Sequence, residues 1–347
     1  MRRKVQSPSL EHLAILSDDV GIIQHAVYDV PNRTTGYCTD DVARAFMVAV
    51  AAGEPGRGLA ARYLAFLYDA QLPDGRYHNF MGYDRNWQDA AGGFDAYGRA
   101  LWAAGYGTRF APSESWRRVC WTLLERSLAH LEALEAPRPR AYAIFGLVHA
   151  YVATGRQNTA LREGIARQAA GLARAYDEHH AEGWSWFEET MTYDNARLPE
   201  ALLQAGWTLN DASLIELGAR TLAYYETVTV EGGVFVPIGN DGWYPRGGAR
   251  ARYSQQPLEA AALVDAALIA RTALGDLRYE ALARTGLDWF LGRNTARAAM
   301  VSESGGCRDG IDAHGVNENM GAESTLAYLA SAIALARMST EVAPVAQ

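Results

Sequence analysis

Gly53, Gly105, Gly155 and Gly206 each close an alanine- and leucine-rich run, and they stand 52, 50 and 51 residues apart. A repeat of that length holds two helices and their loops, so the chain reads as a series of helical hairpins. A fifth run, 257–275, follows after a longer gap that contains the glycine-rich insertion 231–253, and a sixth covers 322 to about 338. Stretches such as 45–52 are apolar nearly all round, which predicts helices buried on every side. Segments 10–16, 59–70, 115–134, 159–176, 212–226 and 278–291 alternate with them and carry more charge, as outer helices with one wet face do. Ser113 and Asn158 stand where N-caps belong. The pattern predicts an all-α fold, an (α/α)6 toroid of six inner and six outer helices, as one domain spanning residues 1–347. An open solenoid, with more uniform repeats and polar end caps, is the alternative.

The loops distinguish the two ends of such a barrel. Asp74-Gly75-Arg76-Tyr77-His78, Glu182-Gly183-Trp184-Ser185-Trp186-Phe187 and Glu231-Gly232-Gly233-Val234-Phe235 each read as a turn followed by a short strand, and all lead into inner helices. The opposite loops, such as 52–56, are short. One elaborate end predicts a single functional mouth.

A second repeat falls at that mouth. Gly36-Tyr37-Cys38-Thr39-Asp40-Asp41-Val42-Ala43-Arg44 reads as a loop entering a helix, with Asp40 as the N-cap and Asp41 facing Arg44 at i and i+3. Thr192-Tyr193-Asp194-Asn195-Ala196-Arg197 reproduces the Asp-x-Ala-Arg core, and each copy runs nine residues from its arginine to a glycine. Phe94-Asp95-Ala96-Tyr97-Gly98-Arg99 repeats the acid-then-arginine order with one extra residue. The structural reading of all three is an ion pair that braces a helix start.

The functional reading comes from what gathers there. The inner helices begin beside Asp40 and Asp41, Asp95, Glu188 and Asp194, Gln256, and then Asn317, Glu318, Asn319 and Glu323. Trp87, Trp184, Trp186 and Trp243 flank these positions; Trp184 and Trp186 alternate on a short strand and serve either as stacking platforms or as rim packing. Glycosidic bond cleavage needs one carboxyl to protonate the leaving oxygen and a second to activate water or attack the sugar, while aromatic faces stack on the ring. Crowding several carboxylates raises the pKa of one of them, as the acid role requires. Asp40, Asp41, Asp95, Glu188, Asp194, Glu318 and Glu323 are therefore the catalytic candidates. Tyr37, Arg44, Trp87, Arg99, Trp184, Trp186, Tyr193, Arg197, Trp243, Gln256, Asn317 and Asn319 are candidates for holding substrate. Glu323 has no arginine three residues on, which separates it from the helix-brace pattern.

Other classes fit less well. A net charge of −8 opposes nucleic acid or an anionic membrane as partner and suits a neutral carbohydrate. Histidines are scattered without metal-ligand spacing, and the glycine-rich stretches lack the phosphate-loop pattern, so no metal or cofactor is expected. Cys38, Cys120 and Cys307 lie far apart without a paired set, and Arg2, Arg3 and Lys4 precede a polar segment with no apolar run after it. The expected location is the cytoplasm.

The blocks Gly36-Tyr37-Cys38-Thr39-Asp40-Asp41-Val42-Ala43-Arg44-Ala45, Gly98-Arg99-Ala100-Leu101-Trp102, Trp186-Phe187-Glu188 with Tyr193-Asp194-Asn195-Ala196-Arg197-Leu198-Pro199, and Gly321-Ala322-Glu323-Ser324-Thr325-Leu326-Ala327-Tyr328 resemble a poorly characterised bacterial group of the (α/α)6, six-hairpin glycosidase-like superfamily. Its members are often labelled glycosyltransferases and tend to accompany β-mannoside phosphorylases; this chain has no alternating βαβ pattern to form a transferase domain. More distantly, Trp289-Phe290-Leu291-Gly292-Arg293-Asn294 and Asn317-Glu318 are similar to the C-terminal part of inverting (α/α)6 cellulases. That resemblance implies Asp40 or Asp41 as base and Glu318 or Glu323 as acid. The expectation is a glycoside hydrolase, inverting, acting on a neutral β-linked manno- or gluco-oligosaccharide. A sugar epimerase or isomerase of the same barrel, using two of His25, His78, His149 and His314, stays open, and so does a glycan-binding protein without turnover.

Overall fold

The computed structural model describes residues 7–341; Arg2, Arg3 and Lys4, used in the localisation expectation, lie outside the described residues. Twelve α-helices are present among the described residues: α1 (Glu11–Ile15), α2 (Thr39–Ala51), α3 (Arg57–Ala70), α4 (Phe94–Phe110), α5 (Glu114–Ser127), α6 (Pro137–Ala153), α7 (Thr159–His179), α8 (Arg197–Leu209), α9 (Ala212–Thr229), α10 (Pro257–Leu274), α11 (Arg278–Phe290) and α12 (Ala322–Glu341). The even-numbered helices contact one another in sequence, and α12 contacts α2, so the inner ring closes. Closure decides against the open solenoid: the fold is an (α/α)6 toroid. The odd-numbered helices pack outside, each against its inner neighbour, with α1 seated on α12.

Local chemistry explains the boundaries. Ser113 accepts from Trp116 N–H, Asn158 from Leu161 N–H, and Asp211 from Ser213 and Leu214 N–H, so three outer helices start on side-chain caps. Pro137 and Pro257 open inner helices at a position where the missing N–H has no cost. Inner helices such as α6 and α10 are buried on almost all faces, as their continuous apolar sequence requires.

Two sequence expectations change. Asp40 is not the cap: α2 begins at Thr39 after extended Cys38, and Asp40 lies within the first turn, freed to reach other partners. Gly53 and Gly155 do follow helix ends, with φ of 74° and 65°, but Gly105 and Gly206 lie inside α4 and α8. Their small size serves packing instead. A Cβ on Gly105 would meet the Gly146 carbonyl oxygen at 2.0 Å, so α4 and α6 touch backbone to backbone. Gly105→Ala is expected to destabilise the protein by about 1–3 kcal/mol through overpacking. A urea-unfolding midpoint unchanged by that substitution would contradict the contact.

Short antiparallel pairs decorate the end where the inner helices begin: Tyr37–Cys38 with Phe80–Met81, Thr190–Met191 with Tyr244–Pro245, Val230–Glu231 with Val234–Phe235, and Gly310–Asp312 with Gly315–Asn317. No helix among the described residues is long and apolar enough to cross a membrane.

Candidate functional site

The first turns of α2, α4, α10 and α12, with the loops before them, enclose a front pocket of about 500 Å3. Asp40, Asp41, Asp95, Asp309, Asp312 and Glu323 all face it. Its base is held by arginines from the barrel interior.

Arg44 is the centre of the arrangement. One turn inside α2, it donates to Asp40 Oδ2 at 2.6 Å, to Asp41 Oδ1 at 3.2 Å and, across the closure of the ring, to Glu323 Oε2 at 2.8 Å. One oxygen from each of the three carboxyls lies within 4.8 Å of the others. Such convergence would suit a cation, and the Arg44 guanidinium already supplies one. Asp41 is nearly buried, and burial pushes its carboxyl up to about 7; Arg44 opposes the rise, while Asp40 and Glu323 add to it. Glu323 is the most open of the three, with 37% of its side chain exposed.

Behind this cluster the charges continue in a chain. Arg99 Nε lies 2.6 Å from Asp40 Oδ1, close but not aligned as a hydrogen bond, and its Nη2 donates to Asp194 Oδ2 at 2.6 Å. Tyr142 also donates to Asp194 Oδ2, and Arg197 Nε stands 3.4 Å from Asp194 Oδ1. Arg197 then donates to Glu200 and Asp265. The repeated Asp-x-Ala-Arg motif thus forms two parts of one ionic partition across the barrel. Arg99 does not pair with Asp95, whose carboxylate instead accepts from the Tyr193 hydroxyl.

The candidates from sequence separate accordingly. Asp40, Asp41, Asp95, Glu323, Arg44, Gln256 and Asn317 line the front pocket. Tyr193 stands beside it through Asp95, and Trp243 packs on Tyr193 with ring centroids 6.4 Å apart. Asn319 accepts from Tyr28 N–H and so positions a rim hairpin. Glu188 is gripped by both of its oxygens on Arg138 Nη1. Asp194 is fully buried within the partition, and Arg197 lines the space behind it, so neither reaches the mouth. Glu318 is exposed on the loop before α12 and does not line the pocket.

Four aromatic candidates are structural. Trp186 is fully buried and stacks on Tyr225; Trp184 is buried and donates to the Glu188 carbonyl. Tyr37 is buried with its hydroxyl on Asp18, and Trp87 stacks on His78 and closes against Phe66, facing an outer groove. The apolar surface at the mouth comes from Phe80, which is exposed and lines the pocket.

Sequence reasoning missed Asp309 and Asp312, and it named His25 without placing it. Asp309 accepts from Gly321 N–H and Ser324 Oγ, so it anchors the start of α12 from a distant loop. Burial raises its carboxyl, with Gly321, Ser324 and His25 pulling it back. No local signal marked it, since Asp309 stands just before the strand Gly310–Asp312 and caps a helix twelve residues on. Of the eight histidines, all within the described residues, His25 alone lines the front pocket; His149 sits near the far end of α6.

No family model matches the chain, and no curated protein matches it. Among solved structures, a sugar epimerase from a ruminal bacterium superposes with a TM-score of 0.74 over 98% of each chain at 11% identity. A cellobiose 2-epimerase from Bacillus thermoamylovorans gives 0.73 over 98% of each chain at 13% identity. A GH76 α-mannanase from Bacteroides thetaiotaomicron gives 0.65 over 96% of this chain and 95% of that one, at 8% identity. At such identities the likeness is one of fold.

Proposed function

We propose that this chain is a glycoside hydrolase whose front pocket binds a neutral oligosaccharide and in which Asp41 protonates the departing glycosidic oxygen. The observation that carries the reading is the Asp41 carboxyl itself. It opens on a polar pocket, yet burial beside two other carboxylates holds it protonated up to about pH 7. The cellulase resemblance assigned the roles the other way round. Burial favours the proton on Asp41, and the more open Glu323, held by Arg44 at 2.8 Å, is its partner.

The separation bears on stereochemistry. Inversion needs about 6.5–9.5 Å between the two carboxyls to admit a water, whereas about 5–5.5 Å suits direct attack on the sugar. Oxygens of Asp41 and Glu323 within 4.8 Å favour retention, with Glu323 as nucleophile, over the inversion expected from sequence. An inverting reaction would have to take its base from elsewhere in the pocket, where Asp309 and Asp312 stand. β-Linked manno- or gluco-oligosaccharides are the proposed substrates, following the resemblance to the group that accompanies β-mannoside phosphorylases. The proposal treats residues 1–347 as one catalytic domain working in the cytoplasm without a cofactor.

A specific observation favours a second reading. His25 lies in the front pocket beside Asp309, and a sugar epimerase would use an imidazole there as acid or base. It would need a second base from a carboxylate, because His149 lines the space behind the partition.

Incubation with a panel of α- and β-linked manno- and gluco-oligosaccharides, followed through the anomeric protons by NMR, tests both. Initial release of the retained anomer supports the Asp41–Glu323 pair; the inverted anomer removes Glu323 as nucleophile. A change at C2 without cleavage supports the epimerase. The pH profile provides a further check. Because Asp41 must be protonated to act, kcat/KM is expected to fall as pH rises through about 7. A rate still climbing at pH 9 would contradict Asp41 as the acid. The same elevation implies that this carboxyl favours the folded state most below its unfolded value of about 4 and loses that contribution by about pH 7.

A further inference from the structure

The barrel holds a second chamber behind the ionic partition, of about 430 Å3. Arg44 lines both chambers, so the partition between them is about one side chain thick. The rear walls come from the C-terminal halves of the inner helices: Met47 of α2, Trp102 and Tyr106 of α4, Leu268 of α10 and Ile333 of α12. Exposed Thr272 and Arg337 stand at its rim, so it opens at the end opposite the front pocket. Where α4 meets α6 the same barrel packs glycine on glycine. Here Ala261, Ala327, Ala330 and Ala334 leave the space unfilled.

Polar side chains also line this chamber, Arg44, Arg99 and Arg197 of the partition among them, and they differ in kind. Arg197 is already met by the Asp265 carboxylate at 2.8 Å and faces Asp194 at 3.4 Å, so it offers no free charge to an anion. Burial pushes the Glu200 carboxyl up to about 8, with Arg197 opposing and Asp265 adding to the rise, which removes most of its negative charge at neutral pH. Buried side-chain atoms here without a hydrogen-bond partner are His149 Nδ1, Gln204 Oε1, Arg99 Nη1 and Arg197 Nε. Burial holds His149 neutral, down to about 3, so one of its ring nitrogens accepts and the other donates. Unmatched buried acceptors call for a donor.

We propose that the rear chamber is a second binding site, for a small uncharged aromatic molecule carrying one or two O–H or N–H donors, of the phenol or indole type. The ring lies against Trp102, Met47 and Leu268, and the donor reaches Gln204 Oε1 or the accepting nitrogen of His149. The volume and the largely apolar lining with a few placed polar atoms match small-molecule sites in general.

Isothermal titration with indole and with 4-bromophenol, joined to the anomalous signal of bromine in crystals soaked with the latter, tests this. One saturable site is expected, with bromine between α4 and α10. Ala330→Trp, which fills the chamber, should abolish binding, and Gln204→Leu should weaken it tenfold or more with an unchanged unfolding midpoint. Absence of binding up to millimolar probe, bromine outside the chamber, or affinity unaltered in both variants would overturn the proposal. If Ala330→Trp fails to fold, Gln204→Leu and the bromine position decide alone.

Discussion

Asp41→Asn is expected to lower turnover of an unactivated oligosaccharide by about 10²–10⁴-fold, the usual worth of a positioned general acid. The amide can keep the contact that Asp41 Oδ1 accepts from Arg44 Nη2 at 3.2 Å, but it has no acidic proton to give. Stability should change little, because the carboxyl it replaces is largely neutral below pH 7. A helix-brace role predicts the reverse, a loss of stability with turnover of the surviving protein nearly intact. Leaving-group chemistry separates the two further. An aryl glycoside with an acidic phenol needs little protonation, so Asp41→Asn should lose far less rate on it than on the oligosaccharide. Equal losses on both substrates would remove Asp41 from the acid role.

Asp194→Ala is expected to cost about 3–5 kcal/mol of stability, the range for breaking a buried pair by removing one partner. The fully buried Asp194 carboxylate accepts from Arg99 and Tyr142 and faces Arg197, so its removal takes a counter-charge from two buried guanidiniums and leaves Arg99 with Asp40 and Arg197 with Glu200 and Asp265. Burial alone would raise its pKa, but Arg99, then Arg197 and the Tyr142 hydroxyl, hold it below the ordinary carboxylate value. A depressed folded value gives a contribution that is complete above the unfolded value of about 3.9 and is lost as pH falls through the folded one. The gap in stability between the wild type and Asp194→Ala should therefore be full at neutral pH and shrink in acid below about 4. Urea denaturation at pH 7 and pH 3 measures it. A cost under about 1 kcal/mol at pH 7 would show that the partition is not braced through Asp194.

The helices were legible because their signals are local. Apolar runs for α2, α6 and α10 and caps at Ser113 and Asn158 each depend on a few neighbouring residues. The partition was not, because its bonds join residues far apart in the chain: Arg44 meets Glu323 only once the ring closes, and Arg99 passes over Asp95 for Asp40 and Asp194. Glu323 had no arginine three residues on and received one from α2. Tryptophans in loops look alike in sequence whether they face ligand or rim, and burial of Trp184 and Trp186 placed them in the rim. Asp309 was hidden for a related reason. It caps α12 from a loop twelve residues upstream of Gly321, beyond the reach of any local capping rule.

The most direct measurement is a crystal structure of Asp41→Asn soaked with an intact manno- or gluco-oligosaccharide that the wild type cleaves. The account predicts the sugar in the front pocket, with its scissile oxygen about 2.6–3.2 Å from the residue 41 side chain and its anomeric carbon turned toward Glu323. A sugar seated in the front pocket with both side chains touching only non-reacting hydroxyls, or one lodged elsewhere on the barrel, would contradict it.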